Sequence, residues 1–368
     1  MRAVVAENGT LTVTEVDTPV PGPGQIRLRV TRAGICGSDL HARYHADAAA
    51  DATAEIGYAA FMRRHQRVVM GHEFTGTIDA YGPGCRRRWR PGRAVVAVPM
   101  IRHGDDVHLT GLSAAAPGAY AEYVLVAEAA TFPVPRGVPP DVAALTEPLS
   151  VARRAVNHAE ITRRDTAVVI GCGPIGLAII LLLRAAGVRT IIAADRAAGR
   201  RTLARTCGAT HIAPAPWPHL PPADAPALFR AGLDALAALR RVPGLPWPAV
   251  MRAATPRGPV VFECVGLPGV IEDIVSHAPF RSRVVVVGVC MQPDTFRPTM
   301  ASNKELQLRF SSGYSPPEFH DALRLLARGR VDPRPLITDV VPLAGVPAAF
   351  DLLASPGHHA KILIDPHL

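Results

Sequence analysis

The sequence predicts an α/β protein in which a doubly wound parallel sheet is inserted into a β-rich domain. Three observations carry that expectation. The first 150 residues alternate apolar and charged positions between glycine–proline turns. From about residue 165 the rhythm becomes strand, glycine loop, helix, strand. Near the C-terminus "AKILID" again reads as a strand, so the tail is expected to return to the first domain. A length of 368 residues suits about two domains of 100–200 residues. The expected limits are 1–150 for the β-rich domain, 151–312 for the inserted domain and 313–368 for the return.

In "QIRLRVTRAG", Ile26, Leu28 and Val30 alternate with Arg27 and Arg29, the pattern of an antiparallel strand with one wet face. "PGPG" at Pro21 to Gly24 and "YGPGC" at Tyr81 to Cys85 mark turns. The Ala-rich stretch "HADAAADATAEIGYAAFMRRH" is expected to be helical. Further on, "TAVVIG", "RTIIAAD", "GPVVFECVG" and "RVVVVGV" are short continuous apolar runs, as strands buried on both faces require. Residues 214–248 are proline-rich and read as a partly helical excursion.

Composition narrows the function classes. Apolar residues make up 48 % and charged residues 19 %, a globular balance rather than a disordered one. The longest apolar run, "GLAIILLLRAAG", falls short of the roughly 20 residues a membrane span needs. "MRAVVAENGT" lacks a signal-peptide core, and the expected location is the cytoplasm. The six cysteines are scattered, which argues against a disulfide framework. A net charge of +9 and "RRRWR" at Arg86 to Arg90 invite a nucleic-acid reading. Yet only Lys304 and Lys361 are lysines among 40 basic residues, so arginine is simply this chain's surface cation. A solvated loop is the expected meaning, with no nucleic-acid or membrane partner.

"GCGPIG" sets Gly171, Gly173 and Gly176 at G-x-G-x-x-G spacing, with Pro174 and Ile175 opening the helix. The first glycine makes the turn, the second lets backbone approach a pyrophosphate, and the third lets helix and strand pack closely. The motif follows an apolar strand and opens a helix, the context that makes it informative. Asp195 ends the next strand, near the usual separation of about 20 residues, where a carboxylate accepts from ribose hydroxyls and repels a 2′-phosphate. NAD is therefore expected over NADP, although Arg196 and Arg200 stand close enough to favour a phosphate. Cys264, Val265, Gly288 and Val289 complete the candidate cofactor contacts, with Lys361 proposed at the pyrophosphate.

"GICGSDLH" brings Cys36, "GHEFTG" brings His72 and Glu73, and "TEPLSVA" brings Glu147. Thiolate, imidazole and carboxylate suit a catalytic zinc that keeps one position open. Each also has a plainer reading: Cys36 as packing, His72 as a satisfied core histidine, Glu147 as a first-turn helix acid. Their order, upstream of the glycine loop, is what favours the metal.

Taken together, "GICGSDLH", "GHEFTGTIDAYG", "TEPLSVA", "VIGCGPIGLA", "AADR" and "FECVG" resemble the zinc-dependent medium-chain alcohol dehydrogenases, in the branch of sorbitol- and threonine-dehydrogenase-like enzymes. The resemblance implies a GroES-like catalytic domain, an inserted Rossmann domain and a cleft between them. It implies that Cys36, His72 and Glu147 hold one catalytic zinc, with Glu73 beside it, and that a small alcohol or carbonyl compound is the substrate. It also implies a homodimer or homotetramer paired through the Rossmann domains. Two departures stand out. The lobe "MIRHGDDVHLTGLSAAAPGAYAEY" has no cysteine, so the second, structural zinc common in such enzymes is not expected, and His103 and His108 read as solvated. An Ala-rich insert around residues 45–67 also widens the gap between Cys36 and His72. It either caps the substrate cleft with Tyr58, Phe61 or Met62, or forms a plain surface helix.

The expected chemistry is hydride transfer from an alcohol to NAD, with the hydroxyl proton leaving through Ser38, a cofactor ribose, His41 and water, as the resemblance implies. Two rivals remain at this point: a zinc-free enone or quinone reductase of the same fold, and a non-enzymatic NAD-binding sensor.

Overall fold

The computed structural model describes residues 1–241, 257–355 and 357–368. Strands β1 (Arg2–Glu7) and β2 (Thr10–Glu15) form an antiparallel hairpin that leads into β3 (Gln25–Gly34). In β3 the alternation works as the sequence requires: Ile26, Leu28 and Val30 are fully buried while Arg29 is exposed. Helix α1 (Gly37–Glu55) starts at Cys36 and is broken at His45. The expected helix over the Ala-rich stretch thus begins earlier and stops at Glu55, with Gly57 in a left-handed conformation (φ +88°) just beyond. Short β4 (Val68–Val69) pairs with β1, and β5 (Glu73–Tyr81) runs antiparallel to β3.

Strands β6 (Ala94–Ala97), β7 (Met100–His103), β8 (Asp106–Leu109), β9 (Tyr123–Ala127) and β10 (Thr131–Pro133) follow, before helices α2 (Pro140–Ala143) and α3 (Thr146–His158). Then comes the parallel unit: β11 (Thr166–Ile170), α4 (Pro174–Ala185), β12 (Thr190–Ala194), α5 (Ala198–Thr206), β13 (His211–Ala213), α6 (Ala225–Arg241), β14 (Val260–Glu263), α7 (Val270–His277), β15 (Arg283–Val286), α8 (Pro298–Asn303) and β16 (Gln307–Phe310). Helix α6 accounts for part of the proline-rich excursion; residues 242–248 lie outside the described residues. The chain ends with α9 (Pro316–Ala327), β17 (Ile337–Val341), α10 (Val346–Ala354) and β18 (Lys361–Ile364).

Two sheets carry the architecture. A seven-stranded sheet has the order β10-β6-β5-β3-β18-β17, with β9 also paired to β3. The tail enters here, because β18 pairs antiparallel with β3 (Leu363 opposite Gly34). The second sheet is parallel throughout, in the order β13-β12-β11-β14-β15-β16. This is the doubly wound arrangement, and strand order reverses between β11 and β14, where the crevice for a ligand opens. Its strands are buried on both faces, with Val168, Val169, Val260, Val261 and Phe262 fully covered. Continuous apolar runs are what such a sheet demands.

The glycine loop sits at the C-terminal end of β11. Gly171 adopts φ +91°, which an L side chain rarely adopts. Gly176 lies so close to the carbonyl of Gly171 that a Cβ there would overlap it. Gly176→Ala should therefore force helix α4 away from β11, costing about 1–3 kcal/mol in urea denaturation. An unchanged midpoint would show that the loop has slack.

Candidate active site

Cys36 closes β3 and opens α1, so its thiol stands at the mouth of a helix. His72 immediately precedes β5, the strand beside β3, and Glu73 begins it. Pairing of these two strands brings the three together: the Sγ of Cys36, a ring nitrogen of His72 and a carboxylate oxygen of Glu73 all lie within 4.8 Å of one another. An ion bound at 2.0–2.3 Å from each donor requires ligand atoms at about such spacing. The thiol and the imidazole therefore stand at a spacing that suits zinc, with carboxylates close by.

His72 is oriented on both sides. Its Nε2 lies 3.1 Å from Ser38 Oγ. Its Nδ1 stands 3.1 Å from Asp39 Oδ1, out of alignment for a hydrogen bond, so both are buried polar atoms without an aligned partner. Asp39 is fully buried; its Oδ2 accepts from the Cys36 N–H (2.9 Å) and from the Tyr120 hydroxyl. Burial pushes the Asp39 pKa up, but His72 and these two donors outweigh it and hold the carboxyl below its usual range. Burial pushes His72 down, and the Asp39 carboxylate with Cys36 outweighs it, so the imidazole titrates well above its ordinary value. Sequence reasoning passed over Asp39, although its place three residues after Cys36 is a capping-box position.

Glu147, in the first turn of α3, is buried beside the cluster but outside its three closely spaced donors. Burial raises its pKa to about 7; Glu73 adds to the rise, while His72, Lys361 and a hydrogen bond from Tyr314 oppose it. Glu73 is already occupied. Both its oxygens accept from Lys361 Nζ, at 2.7 and 2.6 Å, and the same ammonium donates to the Ile35 carbonyl at 2.8 Å. The expectation that Lys361 reaches a pyrophosphate is corrected here, because its side chain is 1 % exposed and spent on Glu73. What "AKILI" could not reveal is that β18 inserts beside β3 with Lys361 facing inward.

His41 is half-buried on α1, and burial followed by the neighbouring His45 lowers its pKa. The insert is anchored at two points. The Leu109 N–H donates to the Tyr58 hydroxyl (2.9 Å), and the Met62 N–H to the Leu112 carbonyl (2.8 Å), tying it to the cysteine-free lobe.

At the second sheet, Gly173 is the N-cap of α4 with no side-chain cap, followed by Pro174 and Ile175, and a Cβ on Gly173 would meet nothing within 4 Å. Unpaired N–H groups facing open space form an anion cradle. Asp195 Oδ2 accepts from Cys172 N (2.8 Å) and Oδ1 from Ala197 N (2.8 Å), fixing the acid beside the loop. Arg196 is exposed next to it, and Arg200 Nε has no partner. Cys264, Val265, Gly288 and Val289 gather around Glu263, a buried acid that sequence reasoning missed. Its Oε1 accepts from Val265 N and Gly266 N, and its carbonyl accepts from Gly288 N. Val265 and Val289 leave apolar surface at the C-terminal edge of the sheet, 38 % and 55 % exposed.

Comparison with known proteins agrees with this geometry. Residues 22–136 match the alcohol dehydrogenase GroES-like domain. (R,R)-Butanediol dehydrogenase of Bacillus subtilis is 27 % identical, with 96 % of each chain covered. Sorbitol dehydrogenase of Gallus gallus is 26 % identical over 99 % of this chain and 96 % of its own. A zinc-binding dehydrogenase of Sinorhizobium meliloti, solved with NADP, superposes with a TM-score of 0.76 at 26 % identity, 99 % of each chain being covered. Over nearly its whole length the chain is similar to zinc-type medium-chain alcohol dehydrogenases. It is an NAD(P)-dependent oxidoreductase, and zinc is the family's metal. Among the described residues, no helix of this dehydrogenase is long and apolar enough to cross a membrane.

The buried pair yields a direct test. Lys361→Met leaves the Glu73 carboxylate buried without its cation and should cost on the order of 3–5 kcal/mol in chemical denaturation. The double variant Glu73→Gln/Lys361→Met should recover most of that loss. Protonation yields another. Glu147 and His72 both hold protons above their ordinary pKa in the metal-free protein, and zinc must displace them. Zinc affinity should therefore rise from pH 6 to pH 8 with proton release, measured by calorimetry in buffers of differing ionisation enthalpy. By the same sign, Glu147's contribution to metal-free stability is full below about pH 4.5 and lost as pH rises through about 7.

Proposed function

We propose that this dehydrogenase oxidises a secondary alcohol, diol or polyol with NAD, using one zinc ion per chain held by Cys36, His72 and Glu147 with Glu73 alongside. The convergence of Cys36, His72 and Glu73 within 4.8 Å, next to the Ser38 hydroxyl, is the observation that carries this reading. The lobe between β6 and β9 contains none of the six free cysteines, in keeping with a single zinc. The substrate class follows the butanediol and sorbitol dehydrogenases to which the chain is similar.

Zinc bound there supplies a Lewis acid that lowers the pKa of an alcohol hydroxyl, and bound NAD supplies the hydride acceptor. The chain's own residues then handle the proton. Ser38 Oγ stands 3.1 Å from His72 Nε2, where it would accept the proton of a hydroxyl held at the cluster. His41 is the next polar group along that face of α1, where a pKa held down by burial lets it pass a proton on readily. The uncapped N-terminus of α4 binds the cofactor's diphosphate, and Val265 and Val289 cover its apolar parts.

Asp195 supports NAD, because its carboxylate retains acceptor capacity for ribose hydroxyls and repels an added phosphate. The exposed guanidinium of Arg196 and the unpartnered Nε of Arg200 favour some use of NADP, so kcat/KM for the two cofactors separates the readings. We assign domain limits of 1–150, 151–312 and 313–368, and pairing of copies into dimers or tetramers. Strand β16 supports the pairing, because it ends the parallel sheet with Phe310 66 % exposed. NAD-linked turnover across a panel of secondary alcohols and polyols, with one zinc per chain, is the expected result. Cys36→Ser should lose both the zinc and at least about a thousandfold of the turnover, as the loss of catalytic metal electrostatics implies. Turnover that survives in a zinc-free Cys36→Ser protein would sink the proposal.

A further inference from the structure

The Tyr120 side chain is fully buried, and its position is unusually determined. Its backbone joins the chain just ahead of His72: Tyr120 N donates to the Met70 carbonyl (2.9 Å) and Ala119 N to the Gly71 carbonyl (2.9 Å). Its ring lies against Gly71, which adopts φ +104° and where a Cβ would overlap the ring. Phe350 of α10 meets the ring edge-on. The hydroxyl crosses to the other ligand segment, donating to Asp39 Oδ2 and lying 3.2 Å from the Gly34 carbonyl. One side chain thus touches both the segment that delivers His72 and the segment that delivers Cys36.

We propose that Tyr120 is a positioning residue for the metal site, acting through Asp39 to set the ring orientation and tautomer of His72. The inference rests on the zinc reading above and concerns a residue that touches no ligand atom of the proposed ion. Asp39 has two oxygens and three neighbours to serve. With Oδ2 taken by Tyr120 and the Cys36 N–H, Oδ1 is the oxygen turned toward His72 Nδ1. A proton placed on Nδ1 leaves the Nε2 lone pair for the metal, the arrangement by which an outer carboxylate orients a metal-bound imidazole. Without the Tyr120 hydroxyl, Oδ2 is held by the Cys36 amide alone. The carboxylate can then rotate, and the imidazole loses the partner that selects its tautomer.

Tyr120→Phe keeps the ring on Gly71 and removes only the hydroxyl. The probe is zinc itself, titrated into the stripped full-length chain against a competing chelator, with the thermal midpoint of each metal-free protein measured alongside. The expected result is a metal-free midpoint within a few degrees of the parent and zinc affinity about tenfold weaker, the lower end of the effect of losing an outer partner. Nitrogen-15 spectra of the histidine rings in the metal-free protein, recorded at a pH high enough for His72 to be neutral, should show His72 shifting from a single tautomer to a mixture. Zinc affinity equal to or tighter than the parent's, or an unchanged His72 tautomer, overturns the proposal, whatever happens to the midpoint. Cys36→Ser in the same titration keeps the two claims apart. If it leaves zinc binding intact, the zinc reading itself fails; if it abolishes binding while Tyr120→Phe changes nothing, only the role of Tyr120 is lost.

Discussion

A buried ammonium sealed onto a buried carboxylate holds this molecule's site in place. Lys361 and Glu73 are 1 % and 0 % exposed, and removing two charges from water is recovered only when geometry and extra hydrogen bonds are good. Here the ammonium meets both carboxylate oxygens and a main-chain carbonyl. Because Lys361 begins the last strand and Glu73 begins β5, the pair closes the end of the chain onto the strand that follows His72. Glu73's negative charge is thereby answered before any metal arrives. Of the two acids near the cluster, Glu147 is the one that burial pushes up to about 7, with the Glu73 charge adding to the rise and His72 and Lys361 opposing it.

That division of labour explains what was readable beforehand and what was not. Local pattern showed the strand alternation of Ile26, Leu28 and Val30, because burial on one face leaves a period of two. It showed the glycine loop as well, because backbone crowding at Gly171 and Gly176 depends on neighbours only a few residues away. The pairing of Cys36 with His72 was readable only through motif order, since nothing local says that β3 and β5 lie side by side. Lys361 was misplaced for the same reason. Its role is fixed by a partner nearly three hundred residues away, and a lysine in an apolar strand looks alike whether it faces a phosphate or a carboxylate. Asp39, Tyr120 and Glu263 were passed over because each acts on backbone amides or on another side chain, and buried acceptors of that kind leave no periodic trace.

The two sheets contribute differently to the site. The mixed antiparallel sheet places donors to about an ångström by register, since Gly34 opposite Glu73 and Ala33 opposite Phe74 settle where Cys36 and His72 emerge. The parallel sheet places nothing by register. It offers helix and strand ends whose amides are unpaired, and the acids at those ends, Asp195 and Glu263, spend their oxygens organising the loops around them. An ion demands fixed donors, whereas a dinucleotide is held by a loop that backbone amides shape; each sheet suits its own task.

The same reasoning accounts for the cysteine-free lobe. A lobe bound by a structural zinc draws on a binding free energy of about 10–16 kcal/mol, whereas single hydrogen bonds contribute about 1 kcal/mol each. This lobe is held by many of the latter: the β7–β8 hairpin, His108 to Ser113, Thr110 N to the Pro99 carbonyl, and the two anchors from Tyr58 and Met62. The insert thus supplies two of the contacts that hold a lobe carrying no cysteine. Its anchoring reaches the active site through the backbone. The chain leaving the lobe at Gly118, Ala119 and Tyr120 is hydrogen-bonded to Val69, Gly71 and Met70, immediately ahead of His72. A lobe held by distributed weak bonds opens locally more readily than one pinned by an ion. The interlock of Tyr120 with Gly71 and Asp39 stands where that segment meets the donor cluster.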